Sequence, residues 1–107
     1  MTFQSRVYSL CKQVPAGKIT TYKAIADTLG SKGYRAVGNA LNKNPFGFFE
    51  GGDIPCHRVV CSSGKVGGFA DGVEKKVEIL KREGMLIEDN KIVDFEEKLF
   101  KKLEKNL

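Results

Sequence analysis

Phe3, Val7, Leu10, Cys11 and Val14 recur three and four residues apart, the spacing that puts apolar side chains on one side of a helix, and Thr2 is placed to cap it. Pro15-Ala16-Gly17 breaks this pattern, because Pro removes a backbone donor and Gly permits a turn. Ile19-Thr20 predicts one short β bridge. Thr20 or Thr21 then caps a second helix through Tyr22, Ile25, Ala26 and Leu29, with Gly30 as its stop. After the turn Ser31-Lys32-Gly33-Tyr34, a third helix runs from Arg35 to about Lys43. Asn44-Pro45 ends it, since the residue before Pro disfavours helical geometry. Two short helices joined by a tight glycine-containing turn predict a helix-turn-helix, although a plain αα-hairpin shares the pattern.

The stretch from Phe46 to Asp53, rich in Gly and Phe, has no period and reads as a loop with Phe48-Phe49 anchored inward. Ile54 to Cys61 is a compact apolar run. Ser62-Ser63-Gly64 turns it toward Lys65-Val66, which predicts a hairpin. Gly67 to Gly72 is a second loop. A fourth helix spans Val73 to Glu83 with Gly84 as C-cap, its apolar face made by Val73, Val77, Ile79 and Leu80. Met85-Leu86-Ile87 and Lys91-Ile92-Val93 flank Glu88-Asp89-Asn90 as a β-hairpin. Asp94 and Glu97 form a capping box for a last amphipathic helix with Phe95, Leu99, Phe100, Leu103 and Leu107 on one side. The expected fold is α+β: a winged-helix-like helix-turn-helix domain with short β-hairpins over residues 1–93, and a C-terminal amphipathic helix over 94–107 packed on it.

Composition narrows the class. A chain of 107 residues buries one core, and 41% hydrophobic with 29% charged residues excludes a disordered chain. With 18 Lys+Arg against 13 Asp+Glu the net charge is +5, which fits a polyanionic partner but equally a solubilising surface. No apolar run has membrane-spanning length and the first residues lack signal-peptide features, so no membrane partner is expected. Three cysteines, Cys11, Cys56 and Cys61, are an odd count without CxxC spacing, which argues against a disulfide framework and for the cytoplasm (the nucleus in a eukaryote). A zinc site would have to use Cys56, His57 and Cys61, and such near neighbours seldom point at one metal, so none is expected.

Two features carry candidate chemistry. Cys56 stands beside His57, the only histidine. A thiol with an ordinary pKa near 8.5 needs a base to supply thiolate at neutral pH, and His57 can be that base directly or through one water. The competing reading is a buried structural cysteine next to a hydrogen-bonded histidine, since neighbours on a strand point to opposite faces. The third helix carries Arg35, then the small residues Ala36, Gly38 and Ala40 with Asn39 and Asn42. Its low bulk lets it lie close against another helix or in a DNA groove.

Ile54-Pro55-Cys56-His57-Arg58-Val59-Val60 resembles the active-site signature of the O6-alkylguanine-DNA alkyltransferases. Gly17-Lys18-Ile19-Thr20-Thr21-Tyr22, Arg35 to Leu41, Asn44-Pro45, Cys61-Ser62-Ser63-Gly64 and Arg82-Glu83-Gly84 follow in the family's order, so the resemblance spans about residues 3 to 87. It implies that Cys56 takes an alkyl group from guanine O6 as a stable thioether, so that the protein is consumed in one turnover and needs no cofactor. His57 would activate Cys56 through a water, and Glu83 would hold the imidazole. Tyr22 and Lys76 would neutralise charge on the departing guanine. Asn44 would be the hinge between recognition helix and active-site turn. Val59, Phe69 and Ala70 would line the guanine pocket, with backbone groups of Val59 and Cys56 reading the base edge. The partner implied is double-stranded DNA carrying O6-alkylguanine, bound by a monomer. Because a thiol cannot reach a stacked base, the nucleotide must be flipped. Arg35 would fill the vacated space, Tyr22 would press on the 3′ phosphate, and Ala36, Gly38, Asn39 and Ala40 would lie on the helix that enters the minor groove.

Three features depart from the family pattern. The Asn44-to-Cys56 spacing is enlarged by residues 46–53, Asp71 stands where similar proteins usually have Gly, and the N-terminal domain of most relatives has no counterpart here, a lack the segment from Asp94 is expected to offset. The alternative reading is a non-catalytic alkyltransferase-like sensor that binds alkylated DNA and recruits excision repair. Such proteins typically replace the active-site cysteine, often by tryptophan, whereas this chain has Cys56 and no Trp. A winged-helix regulator would leave Cys56, His57 and Glu83 unexplained.

Overall fold

A computed structural model describes residues 2–30, 33–42, 54–67 and 73–104. Helix α1, Phe3–Lys12, is capped by the Thr2 hydroxyl, which accepts from the Ser5 N–H. The two-residue strand β1, Thr20–Thr21, runs directly into α2, Tyr22–Thr28, where the Thr21 hydroxyl accepts from the Ala24 N–H. Gly30, at φ +72°, ends that helix in the left-handed conformation that suits glycine. Helix α3, Tyr34–Asn42, starts with the Gly33 carbonyl accepting from Ala36 and Val37. Val7, Leu10 and Cys11 of α1, Ile25 and Ala26 of α2, and Val37, Ala40 and Leu41 of α3 close one core, into which Ile54, Cys56 and Val59 also reach. This is a helix-turn-helix braced by a third helix, as the spacing of apolar residues predicts.

The second half is built around β2, Val59–Val60, helix α4, Val73–Arg82, and a hairpin of β3, Ile87–Glu88, with β4, Lys91–Ile92. Asp89 and Asn90 both have positive φ, the requirement of the two-residue turn that matches strand twist. Gly84, at φ +93°, terminates α4. Ile19, Val60, Val66, Leu80, Met85 and Ile92 form the second core, with Phe95 and Leu99 against it.

Two expected elements differ. The run Ile54 to Val66 does turn at Gly64, where the Cys61 N–H bonds Lys65 O at 2.9 Å. However, Val59 and Val60 pair in parallel with Thr20 and Thr21, and Lys65 bridges to Lys91. The two limbs are therefore sides of different pairings rather than one hairpin. The C-terminal helix is also shorter than its apolar spacing implies. Helix α5 is only Phe95–Lys98, and Asp94 adopts a left-handed conformation without a side-chain cap, so no capping box forms. Residues 99–104 form a strap instead. Leu99 bridges Ile19 in parallel, with Ile19 N–H on Lys98 O and Phe100 N–H on Ile19 O. Farther along, the Gln13 side-chain amide both donates to and accepts from the Glu104 backbone. The free edge beside Ile19 takes these backbone bonds, while Leu99 still meets the second core, so the strap satisfies both demands that a helix would have met.

Candidate active site and nucleic-acid interface

Cys56 lies in a tight turn, not on a strand. Pro55, at φ −81° and ψ 64°, is the centre of an inverse γ-turn in which the Cys56 N–H donates to Ile54 O at 2.9 Å. A 3₁₀ turn, Cys56–Arg58, follows, closed by Arg58 N–H on Pro55 O, and it opens into β2. Cys56 is 8% exposed and His57 fully buried. This turn removes the objection that chain neighbours must face opposite ways.

His57 Nε2 lies 3.0 Å from Glu83 Oε1. Arg58 grips the same carboxylate with two donors: Nε at 3.0 Å from Oε1, and Nη2 on Oε2. Its third contact, Nη1 to Val14 O at 3.0 Å, ties the site to the end of α1. Burial alone would raise the Glu83 pKa, but the Arg58 hydrogen bonds and the charges of His57 and Arg58 outweigh it and hold the carboxyl below its ordinary value. An ionised carboxylate only accepts, so Nε2 must carry the proton shared with Glu83. Burial lowers the His57 pKa despite the opposing pull of Glu83. The imidazole is therefore neutral at pH 7, with its basic lone pair on Nδ1. Arg58 is a member of the site that sequence reasoning missed. Its signal was its place inside the signature run, where an arginine flanked by buried residues needs an anionic partner.

Helix α4 supplies a second polar group. Lys76, Ile79, Leu80 and Glu83 recur at three- and four-residue spacing, and Lys76 is fully buried on that face, whereas Val73, expected there, is 38% exposed. Lys76 Nζ donates to Tyr22 Oη at 3.3 Å. Burial pushes Tyr22 up to about 12 and Lys76 down to about 8. Tyr22 thus stays protonated at neutral pH, and Lys76 remains a cation close to its titration point. Gly67, at φ +78°, lies beside them; a Cβ there would come within 3.0 Å of Cys61 Sγ and 3.5 Å of the Tyr22 ring. Cys11, by contrast, is sealed in the first core, and burial raises its pKa.

On α3, Arg35, Ala36 and Asn39 are exposed on the outer face, together with Asn42, and Gly38 is half-buried beneath Tyr22. Ala40 is not on that face: it is buried with Val37 and Leu41, and its carbonyl accepts from Tyr8 Oη at 2.8 Å. Its small size serves helix packing instead. The Val59 side chain is likewise fully buried in the first core, leaving only its backbone to meet a base. Asn44, Phe69, Ala70, Asp71 and residues 46–53 lie outside the described residues. Among the described residues, no group of three or more His, Cys, Asp or Glu side chains gathers as a metal site.

A family model described as 6-O-methylguanine DNA methyltransferase, DNA binding domain, matches residues 2–85. The methylated-DNA–protein-cysteine methyltransferase of Sulfolobus acidocaldarius is 45% identical over 86 residues, 80% of this chain and 52% of that protein. The protein of the same name from Metallosphaera sedula is 46% identical over 86 residues, 80% and 51% respectively. The chain spans about half the length of these curated relatives. Mycobacterium tuberculosis OGT, solved in complex with DNA, superposes with a TM-score of 0.71 at 38% identity, covering 78% of this chain and 49% of that one. S. pombe Atl1, solved with damaged DNA containing O6-carboxymethylguanine, superposes with a TM-score of 0.77 at 27% identity, covering 92% and 94%. The matched span takes in the Cys56 turn, Tyr22, Lys76 and Glu83, and the chain belongs to the 6-O-methylguanine DNA methyltransferase family through its DNA-binding domain.

Proposed function

We propose that this chain repairs O6-alkylguanine in duplex DNA by moving the alkyl group to its own Cys56 in a single turnover. The observation that carries the reading is the Cys56–Arg58 turn with His57 held on the ionised Glu83. His57 Nδ1 takes the Cys56 proton, directly or through one water, and the thiolate attacks the O6 alkyl carbon. The S–C bond forms as the C–O6 bond breaks, and the electron pair passes to the guanine. Tyr22, protonated and backed by the Lys76 ammonium, donates to the purine as that charge develops. The guanine leaves with one proton in place of the one lost by the thiol. A thioether is a poor leaving group, so the protein is spent.

Access requires rotation of the nucleotide out of the duplex, at a cost of a few kcal/mol. Arg35, exposed at the start of α3, occupies the space left in the stack, while Ala36 and Asn39 lie along the groove. A monomer suffices for this chemistry, and Asn44, Phe69 and Ala70 complete the hinge and pocket in the same reading.

The likeness to Atl1 over nearly its full length supports a second reading, a sensor that binds alkylated DNA without reacting. Intact mass after incubation with an O6-methylguanine duplex separates the two. A one-methyl gain that maps to Cys56 and is absent in Cys56→Ser supports transfer. Unmodified protein that still shifts the duplex supports the sensor.

A further inference from the structure

Tyr34 is 56% exposed, although α3 fills its inner face with Val37, Ala40 and Leu41. It opens that helix one residue before Arg35. An aromatic ring left in water at this place contributes nothing to either core. Tyr34 lines, with Tyr22, Lys23, Cys61 and Ser62, a cleft of about 330 Å³, within the size range of ligand pockets. Among the described residues the lining offers two phenol rings, one ammonium, one hydroxyl and one thiol, and no carboxylate. That combination suits an anionic unit with a flat apolar face and repels a cation.

We propose that Tyr34 and Lys23 bind the DNA strand that carries the rotated nucleotide, the Tyr34 ring against its sugar–base surface and the Lys23 ammonium on its phosphate. The proposal rests on the alkyltransfer reading and adds two contacts to it. Tyr22, the half-buried ring of the cleft, meets the reacting guanine, and Tyr34, the exposed one, holds the strand that delivers it. Ring stacking tolerates any base, so the contact tightens binding without choosing a sequence.

The test is equilibrium binding by fluorescence anisotropy in a Cys56→Ser background, where transfer cannot deplete the complex, with an O6-methylguanine duplex. Tyr34→Ala should weaken binding about ten-fold, the scale of a lost base–aromatic contact. Tyr34→Phe should stay close to the Cys56→Ser value, and the melting temperature of Tyr34→Ala should be unchanged. Lys23→Gln should reduce the slope of log affinity against log salt by about one, as expected for one phosphate contact. Parental affinity in Tyr34→Ala, a loss in Tyr34→Phe equal to that in Tyr34→Ala, or an unaltered salt slope in Lys23→Gln would overturn the proposal while leaving alkyl transfer intact. Failure of the Cys56→Ser protein itself to bind the duplex would overturn both.

Discussion

Lys76 on α4 and Glu83, the residue just after it, lie on one side about two turns apart, and the fold treats their charges differently. Glu83 meets the Arg58 guanidinium and the His57 ring, and its carboxyl is held ionised. Lys76 meets a phenol, and burial brings its pKa down to about 8. The first group is a fixed brace that selects the tautomer of His57. The second sits near its titration point, which suits the charge-neutralising role proposed for it. Helix α4 and the residue that follows it therefore carry both the brace and the cation that the proposed function sets against the departing guanine.

The sharpest way to break this contrast is to remove Arg58. Arg58→Met should cost about 3 kcal/mol in urea unfolding, because Glu83 keeps the penalty of burial and loses its main compensation. Arg58→Met with Glu83→Leu should recover much of the loss. A single-variant cost below about 1 kcal/mol would show that the brace is not an energetic unit.

Lys76→Met should act in the opposite direction and stabilise the protein at pH 7 by up to about 3 kcal/mol, the linkage value of its depressed pKa. The sign follows from proton counting. Between pH 8 and 10.5 the unfolded chain binds the lysine proton more tightly than the folded one, so this contribution makes the parent more stable as pH rises. The advantage of the variant should shrink across that window. His57 acts on the acid side: its lowered pKa means that stability falls as pH drops below its ordinary value of 6.5, because the unfolded chain takes up the proton first.

Tyr22→Phe tests the reacting half without removing its ring. Transfer should slow about 100-fold, the lower end for a lost proton-donating group, with duplex binding retained. Gly67→Ala probes the contact between that half and its neighbours. It should cost about 1–2 kcal/mol, since alanine is strained at φ +78° and its methyl would press on Cys61 and Tyr22.

Much of this architecture is legible residue by residue. The helices α1 to α4 announce themselves through apolar spacing, Thr2 and Thr21 as caps, and Gly30 and Gly84 as stops, all of which are local signals. The hairpin around Asp89-Asn90 is equally local. The parallel pairing of Thr20–Thr21 with Val59–Val60 joins segments far apart in the chain and has no local signature. The strap shows the converse. Phe95, Leu99 and Leu103 have helical spacing, yet the open edge at Ile19 captures the backbone first. The candidates Cys56, His57, Glu83 and Tyr22 are legible through motifs that resemble the family's, and Lys76 only as a position implied by that resemblance. That Lys76 is fully buried, and that Arg58 clasps Glu83, depends on which face of α4 turns inward, a tertiary matter.

The central claim is that Cys56 accepts one alkyl group and is then spent. The most direct measurement is a titration with excess O6-methylguanine duplex, counting the guanines restored per protein chain while peptide mapping locates the methyl group. The account predicts a plateau at one equivalent, with the methyl on Cys56. Restoration that continues past one equivalent, or a methyl group on any other residue, would contradict it.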